Sequence, residues 1–417
     1  MKHHKQEKGQ ALIIIAFALI GLIAMTGLAI DTGTAYIDRR QSQNAADSAA
    51  LAAALAVVRG ENMQNAALNR ALSNGFDNNG TTNTITVNHP PQKECDGVTD
   101  SPYINDNNYV QVIIRSTTDT SFSSLVGVDE VDNCVEAVAR ATPPTVVPLF
   151  DGNAVVGLNP RPSSQGSYPC GFDSGNSNAV KWHLTGGGIF SNGCAYAKNF
   201  NSVNLDEDAG GNPTKCATAV HAASGFKCMQ TGADQYSTTD IANLMPPAPA
   251  CDNTAAGGYV VPSSPSSFTF NDGIYCVSNF DAFRQQDIVL NNATLYVTDM
   301  TFDVKFAGHG GFAGTASTAG PYKGYFLIVA MNSTPCERYQ SGPQSIEFRG
   351  NGTSDVVGTF MAPTACIDFR GNSNGNHTRS QVVGYTVSSN GNADLYINYN
   401  AGDNAQTPKP PEIMLAK

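Results

Sequence analysis

After a short basic tail, the run QALIIIAFALIGLIAMTGLAI from Gln10 to Ile30 carries no charge and is stopped by Asp31. About 20 apolar residues at about 1.5 Å each match the hydrocarbon core of a bilayer, whereas the apolar region of a cleaved export signal is only about 7–15 residues long. Helical character continues beyond Asp31. Ala45, Ala46, Ala49, Ala50, Ala52, Ala53, Ala54 and Ala56 are strong helix formers, and Gly60 is a suitable stop. The pattern predicts one helix from about Gln10 to Arg59, half in lipid and half outside it. In the apolar half, Gly21, Ala24 and Gly27 either let a partner helix approach closely or merely tolerate packing. The period then changes: NTITVNHP and YVQVIIRSTTD alternate as strands, SFSSLVGVDEV reads as a short helix and turn, and CVEAVARATP as a closing strand. Together they make a small α/β unit ending near Thr142.

Pro143 and Pro144 mark a boundary, after which short alternating stretches are punctuated by Gly and Asn. IEFRGN (346–351) recurs as IDFRGN (367–372), VVGTF from Val356 recurs as VVGYT from Val382, and ADLYINYN ends the pattern. A repeat of this length marks one supersecondary unit stacked on its copy, and with no helix-length segment between the strands the expected stack is a parallel β-solenoid. A β-sandwich, whose strands need not repeat, is the alternative. AVKWHLTGGGIFSNGCAYAKNFNSVNL and DIVLNNATLYVTDMTFDVKFAG read as weaker copies, KCATAVHAASGFKC as a lateral loop, and asparagines at equivalent turns as hydrogen-bonded ladders. Alternation turns Ile346, Phe348, Ile367 and Phe369 inward, and Glu347, Arg349, Asp368 and Arg370 to solvent as cross-strand charge pairs. The expected fold is α+β and membrane-anchored. Its parts are a cytoplasmic tail (1–9), a transmembrane helix (10–30), an extracytoplasmic helix with the small α/β unit (31–142), a linker (143–149), a large all-β domain (150–404) and a flexible tail (405–417).

Charge sets the direction of the span. Lys2, Lys5 and Lys8 precede it, while Asp31 and Asp38 partly offset Arg39 and Arg40 beyond it, which favours a cytoplasmic N-terminus and a single pass, with the bulk of the chain extracytoplasmic. The ten cysteines are Cys95, Cys134, Cys170, Cys194, Cys216, Cys228, Cys251, Cys276, Cys336 and Cys366, an even set expected as disulfides in an oxidising compartment. Cys95 and Cys134, alone before Pro143, are expected to pair with each other and to stabilise their unit by about 3–4 kcal/mol. No CxxC occurs and no cysteine has a histidine at ligand spacing, which excludes a structural zinc site of the usual kind. A formal net charge of −11 excludes nucleic acid as a partner.

The stretch GQALIIIAFALIGLIAMTGLAIDTGTAYIDRRQSQNAADSAALAAA resembles the N-terminal module of the TadE/TadG-like proteins of Flp (tight-adherence) pilus assembly. The residues that carry the resemblance are the opening Gly9, Gln10, Ala11 and Leu12, and the signature Arg40, Gln43, Asn44, Ala45, Ala46, Asp47, Ala49, Ala50 and Leu51. The resemblance covers about the first third of the chain. It implies a lipid bilayer as partner, together with pilus machinery or pilin helices. The prepilin peptidase of that system cuts after a glycine and expects glutamate five residues on. Here that position is Ile14, so the resemblance implies an anchored chain rather than a processed subunit.

Candidate chemistry is sparse. Asp119, Ser121 and Ser123 spell DxSxS, a metal-site pattern of von Willebrand A domains, but the strand–helix alternation such a site needs does not follow, and the serines are expected to cap a helix. His183, His221, His309 and His377 are isolated in sequence. Asp368, Arg370 and His377 with Glu347 and Arg349 could form an outer-face patch of the kind used by glycan-cleaving solenoids. The expectation is instead a non-enzymatic surface protein with an adhesive or assembly role, with no cofactor and no metal. An anchored glycan-active or carbohydrate-binding β-helix, with a surface glycan as partner, is the alternative.

Overall fold

The computed structural model describes residues 10–92, 95, 102–163, 170–175, 181–263, 265, 267–278, 283, 286–299, 304–306, 311–336, 344–349, 353–371, 374–391 and 394–417. The chain forms two compact units, one of residues 1–145 with 408–417 and the other of residues 146–407.

In the first unit a single helix, α1, runs Gln10–Arg59. Gly60, at φ 69°, supplies the left-handed residue that ends it. A second helix, α2 (Met63–Leu72), starts at Asn62, whose side chain accepts the Asn65 N–H. The strands β1 (Asn83–Asn88), β2 (Tyr109–Asp119) and β3 (Glu130–Thr142) pair antiparallel in that order, and Glu412–Leu415 adds beyond β3. Residues 405–417 are therefore not a flexible tail. Ile413 packs on the core of this unit, and Glu412 forms an ion pair with Arg140 at 2.9 Å. That core is alanine against β-branched residues: Ala45, Ala46, Ala49, Ala50, Ala53 and Ala54 are fully buried with Val110, Val112 and Ile114. Side chains this small let the helix lie close to the sheet. The outer half of α1 is thus a docking face.

The second unit is a large, mostly parallel sheet. One unbroken register runs Tyr259, Tyr275, Leu295, Leu327, Phe360, Val382, Val155, Ile189, Ala217, Met229, each residue paired to the next. Parallel pairing of this kind is not that of an antiparallel sandwich. Stacking order also departs from chain order. The first strand, Val155–Gly157, sits in the middle of the stack against Val382–Gly391, because the chain fills one side first and returns along the other. The segment expected as a lateral loop belongs to the sheet: Ala217–Ala219 pairs with Ile189–Ser191, and Ala222–Ser224 with Cys194–Tyr196.

The repeat is half confirmed by register. Ile346 pairs with Ile367 and Phe348 with Phe369, whereas Val356 pairs with Gly314 and Val382 with Phe360, so the second, 26-residue offset is not a stacking step. Both faces of one column are buried. Ile189, Val155, Val382, Phe360, Leu327 and Leu295 enter the main core, and their neighbours Phe190, Val156, Val383, Met361, Ile328 and Tyr296 enter a second core closed by Leu149, Ile241 and Tyr322. Two buried faces explain why segments such as YFLIV show no alternation. Within the paired strands Thr269–Val277 and Asp287–Val297, Asn291 donates to the side chain of Asn271 at 2.8 Å, one step of an asparagine ladder.

Candidate functional site

Leu12, Phe17, Ile20 and Met25 stand exposed along the first half of α1, which is long and apolar enough to cross a membrane. Where the apolar run ends, Asp31 is buried, and its carboxylate accepts the backbone N–H groups of Ser121 (2.9 Å), Phe122 (3.0 Å) and Ser123 (2.6 Å). Burial opposes ionisation of Asp31, but these bonds and one from the Ser123 side chain outweigh it and hold the carboxyl at about 2. The DxSxS segment is therefore used through its amides. Its short helix is capped at Phe122 with no side-chain bond, so Ser121 and Ser123 are not the caps expected. Among the described residues no group of three or more His, Cys, Asp or Glu side chains is placed to hold a metal.

The small residues of the span are not equivalent. A Cβ on Gly27 would lie 2.6 Å from the Phe122 side chain, whereas nothing stands within 4 Å of one on Gly21. Gly27 is thus taken by the chain's own loop, not left for a partner helix. In the signature, Ala45, Ala46, Ala49 and Ala50 pack on the sheet, and Gln43 donates to Asp47 (2.8 Å) and to the Glu136 carbonyl (3.1 Å). Leu51 is partly buried against the same core, while Leu12, Arg40 and Asn44 are exposed. Gly9 lies outside the described residues, as do the side chains of Gln10 and Ala11.

On the second unit, parallel register lines up Glu347, Asp368, Ser388, Asp173 and Tyr196 on the face opposite Ile346 and Ile367. The expectation that Glu347 and Asp368 face solvent is overturned: they are 2% and 1% exposed. Arg370, itself only 21% exposed, reaches back to both, 2.6 Å from Glu347 and in direct contact with Asp368. Ser388 also donates to Asp368 at 3.0 Å. Alternation was right about which face each residue takes and wrong about what covers it. Nearby, Cys366, two residues before Asp368, is bonded to Cys336, whose N–H donates to the Thr364 carbonyl. Burial pushes the Asp173 carboxyl up to about 6, against the Gly175 N–H and with the added repulsion of Asp368. Asp368 is raised as well, by burial that outweighs Arg370. The side chain of Arg349 and that of His377 lie outside the described residues, as does His309.

Two adjoining hollows of about 650 and 390 Å³ meet at Gln235 and Tyr236. Asn192 fixes Tyr236 by accepting its N–H and donating to its carbonyl, both at 2.8 Å, and the ring meets Phe150 and Phe190 edge-on. Burial and then the charges of Asp151, Asp240 and Asp234 push its hydroxyl up to about 12. The result is an acidic groove with an aromatic wall. Nothing in the sequence flags it, since Asn192 and Tyr236 lie 44 residues apart. His183 stacks on Tyr396 with centroids 4.3 Å apart, and burial lowers its pKa. The ten cysteines form five bonds: Cys95–Cys134, Cys170–Cys194, Cys216–Cys228, Cys251–Cys276 and Cys336–Cys366.

With its long apolar helix and alanine docking face, the first unit fits a membrane-anchored protein. Residues 9–56 match the family described as Putative Flp pilus-assembly TadE/G-like. No curated protein matches the chain, and no solved structure does.

Proposed function

We propose that the chain is a membrane-anchored, minor-pilin-like protein associated with the Tad/Flp pilus, and that its parallel-sheet unit is a β-solenoid displayed outside the cell for adhesion or pilus assembly. One observation carries the reading: the 9–56 match falls on a helix whose first half is exposed and apolar and whose second half is an alanine face docked on a sheet. The basic residues before the span favour a cytoplasmic N-terminus. The five disulfides favour an oxidising compartment for the rest. In this reading there is no catalytic step. The glycan-active alternative placed on the Glu347 and Asp368 patch needs carboxylates open to substrate, and Glu347, Asp368 and Asp173 are each no more than 9% exposed.

The test is an in-frame deletion in the native cell, complemented by the full chain or by one lacking residues 146–407. Filaments without surface attachment in the truncated complement indicate adhesion, and loss of filaments indicates assembly. Unchanged filaments and attachment in the deletion itself defeat the reading.

A further inference from the structure

We propose that the loop Thr120–Val128 is a second membrane contact, inserting Phe122, Leu125 and Val128 among the lipids at the end of the span where α1 leaves the bilayer. The inference rests on the membrane-anchor reading. Its geometry lies wholly within the first unit. The loop is held at a defined height on α1 by the three backbone N–H groups bound to Asp31 and by the Phe122 ring seated on Gly27. Gly27 is four residues before Asp31, about 6 Å of helix rise inside the end of the apolar run. Phe122 is therefore level with the last turn of the span.

At that height a loop of a water-soluble surface would turn polar side chains outward. This one exposes Leu125 at 84%, Val128 at 48% and Phe122 at 38%, and the last turn of the span beside it also exposes Leu28 and Ile30. Side chains of this kind at the headgroup–acyl boundary gain by leaving water, and insertion of about 5–10 Å suffices. No Lys or Arg lies between Arg115 and Arg140. The attraction is therefore apolar, requires no anionic lipid and is insensitive to salt, in contrast to a polybasic surface contact.

The test uses the full chain reconstituted in phosphatidylcholine vesicles, with Leu125→Trp and, separately, Leu19→Trp. The wild-type chain supplies the baseline, because its only tryptophan, Trp182, is fully buried. Leu125 is exposed, so its replacement leaves the fold intact. The added Trp at 125 is expected to emit blue-shifted light, to resist acrylamide, and to be quenched by lipids brominated near the headgroup end of the chains, equally at low and high salt. At 19 it is expected to be quenched by lipids brominated near the chain termini. Water-like, unquenched emission at 125 with quenching at 19 overturns the loop contact and leaves the anchor standing. Absence of quenching at both positions overturns both.

Discussion

Phe348 lies on Phe369 with ring centroids 5.1 Å apart and planes 16° from parallel, one in-register step along the sheet. Phe369 also meets Trp182 edge-on at 5.7 Å, so the stack is tied to the only tryptophan of the chain. Phe369→Ala is expected to destabilise the second unit by about 2–4 kcal/mol, below the full cost for a wholly buried ring because Phe369 is only partly buried. Denaturant unfolding of the detergent-solubilised chain, followed by Trp182 emission, reads that unit specifically. A silent substitution would show that the stack bears no load.

Arg370→Ala is expected to be equally damaging, about 3 kcal/mol or more at neutral pH, because it withdraws the cation shared by two carboxylates buried to 2% and 1%. The same unfolding measurement repeated in acid should show a smaller loss, since protonation of Asp368, whose pKa is already raised, removes the uncompensated charge. A pH-independent or negligible effect would mean that solvent, not Arg370, compensates these groups.

The sequence made the helix legible because an uncharged run followed by clustered alanines admits few other structures. Strand faces in the IEFRGN and IDFRGN pair were legible for the same reason, since period 2 fixes a face once register is known. Coverage was not legible: Glu347 and Asp368 alternate as outward residues do, and only tertiary structure brings Arg370 back to both of them. Insertion of Val155 beside Val382 was hidden too, because contacts between residues over 200 positions apart leave no periodic trace. The Tyr236 groove escaped on the same ground.

Asp173 makes the second unit sensitive to pH. Its folded pKa of about 6 lies above the ordinary 3.8, so the neutral form is the one folding favours. Its contribution is fully present below about pH 4 and is lost as pH rises through about 6, on the order of 3 kcal/mol in total. Asp173→Asn, which keeps an acceptor for the Gly175 N–H, should raise stability at pH 8 and flatten the profile between pH 4 and 7. Equal slopes for both proteins by Trp182-monitored unfolding would remove Asp173 as the cause.

The alanine face predicts intolerance of size. Ala50 is fully buried between α1 and the sheet, so Ala50→Leu forces the two apart at a cost of about 1–3 kcal/mol, while a change at exposed Asn44 costs less than about 0.5 kcal/mol. Limited proteolysis within β2 and β3 should accelerate for the first variant alone. Matching digestion of both would place the helix–sheet contact elsewhere.

Asp31 offers the finest test of how the loop is held, because its two oxygens divide the work: Oδ1 accepts from Ser121, and Oδ2 from Phe122 and Ser123. Asp31→Ala should release all three amides, and Asp31→Asn, with one carbonyl oxygen left, only some of them. Amide hydrogen exchange of residues 121–123 in the reconstituted chain separates these cases. The depressed pKa gives the wild type a matching acid limit: the carboxylate's contribution is complete above about pH 4 and fades only as pH falls through about 2. Protection should therefore persist at pH 4 in the wild type and be missing at every pH in Asp31→Ala. Unchanged exchange in Asp31→Ala would mean that Phe122 on Gly27 holds the loop alone, and Gly27→Ala would then be the substitution that frees it.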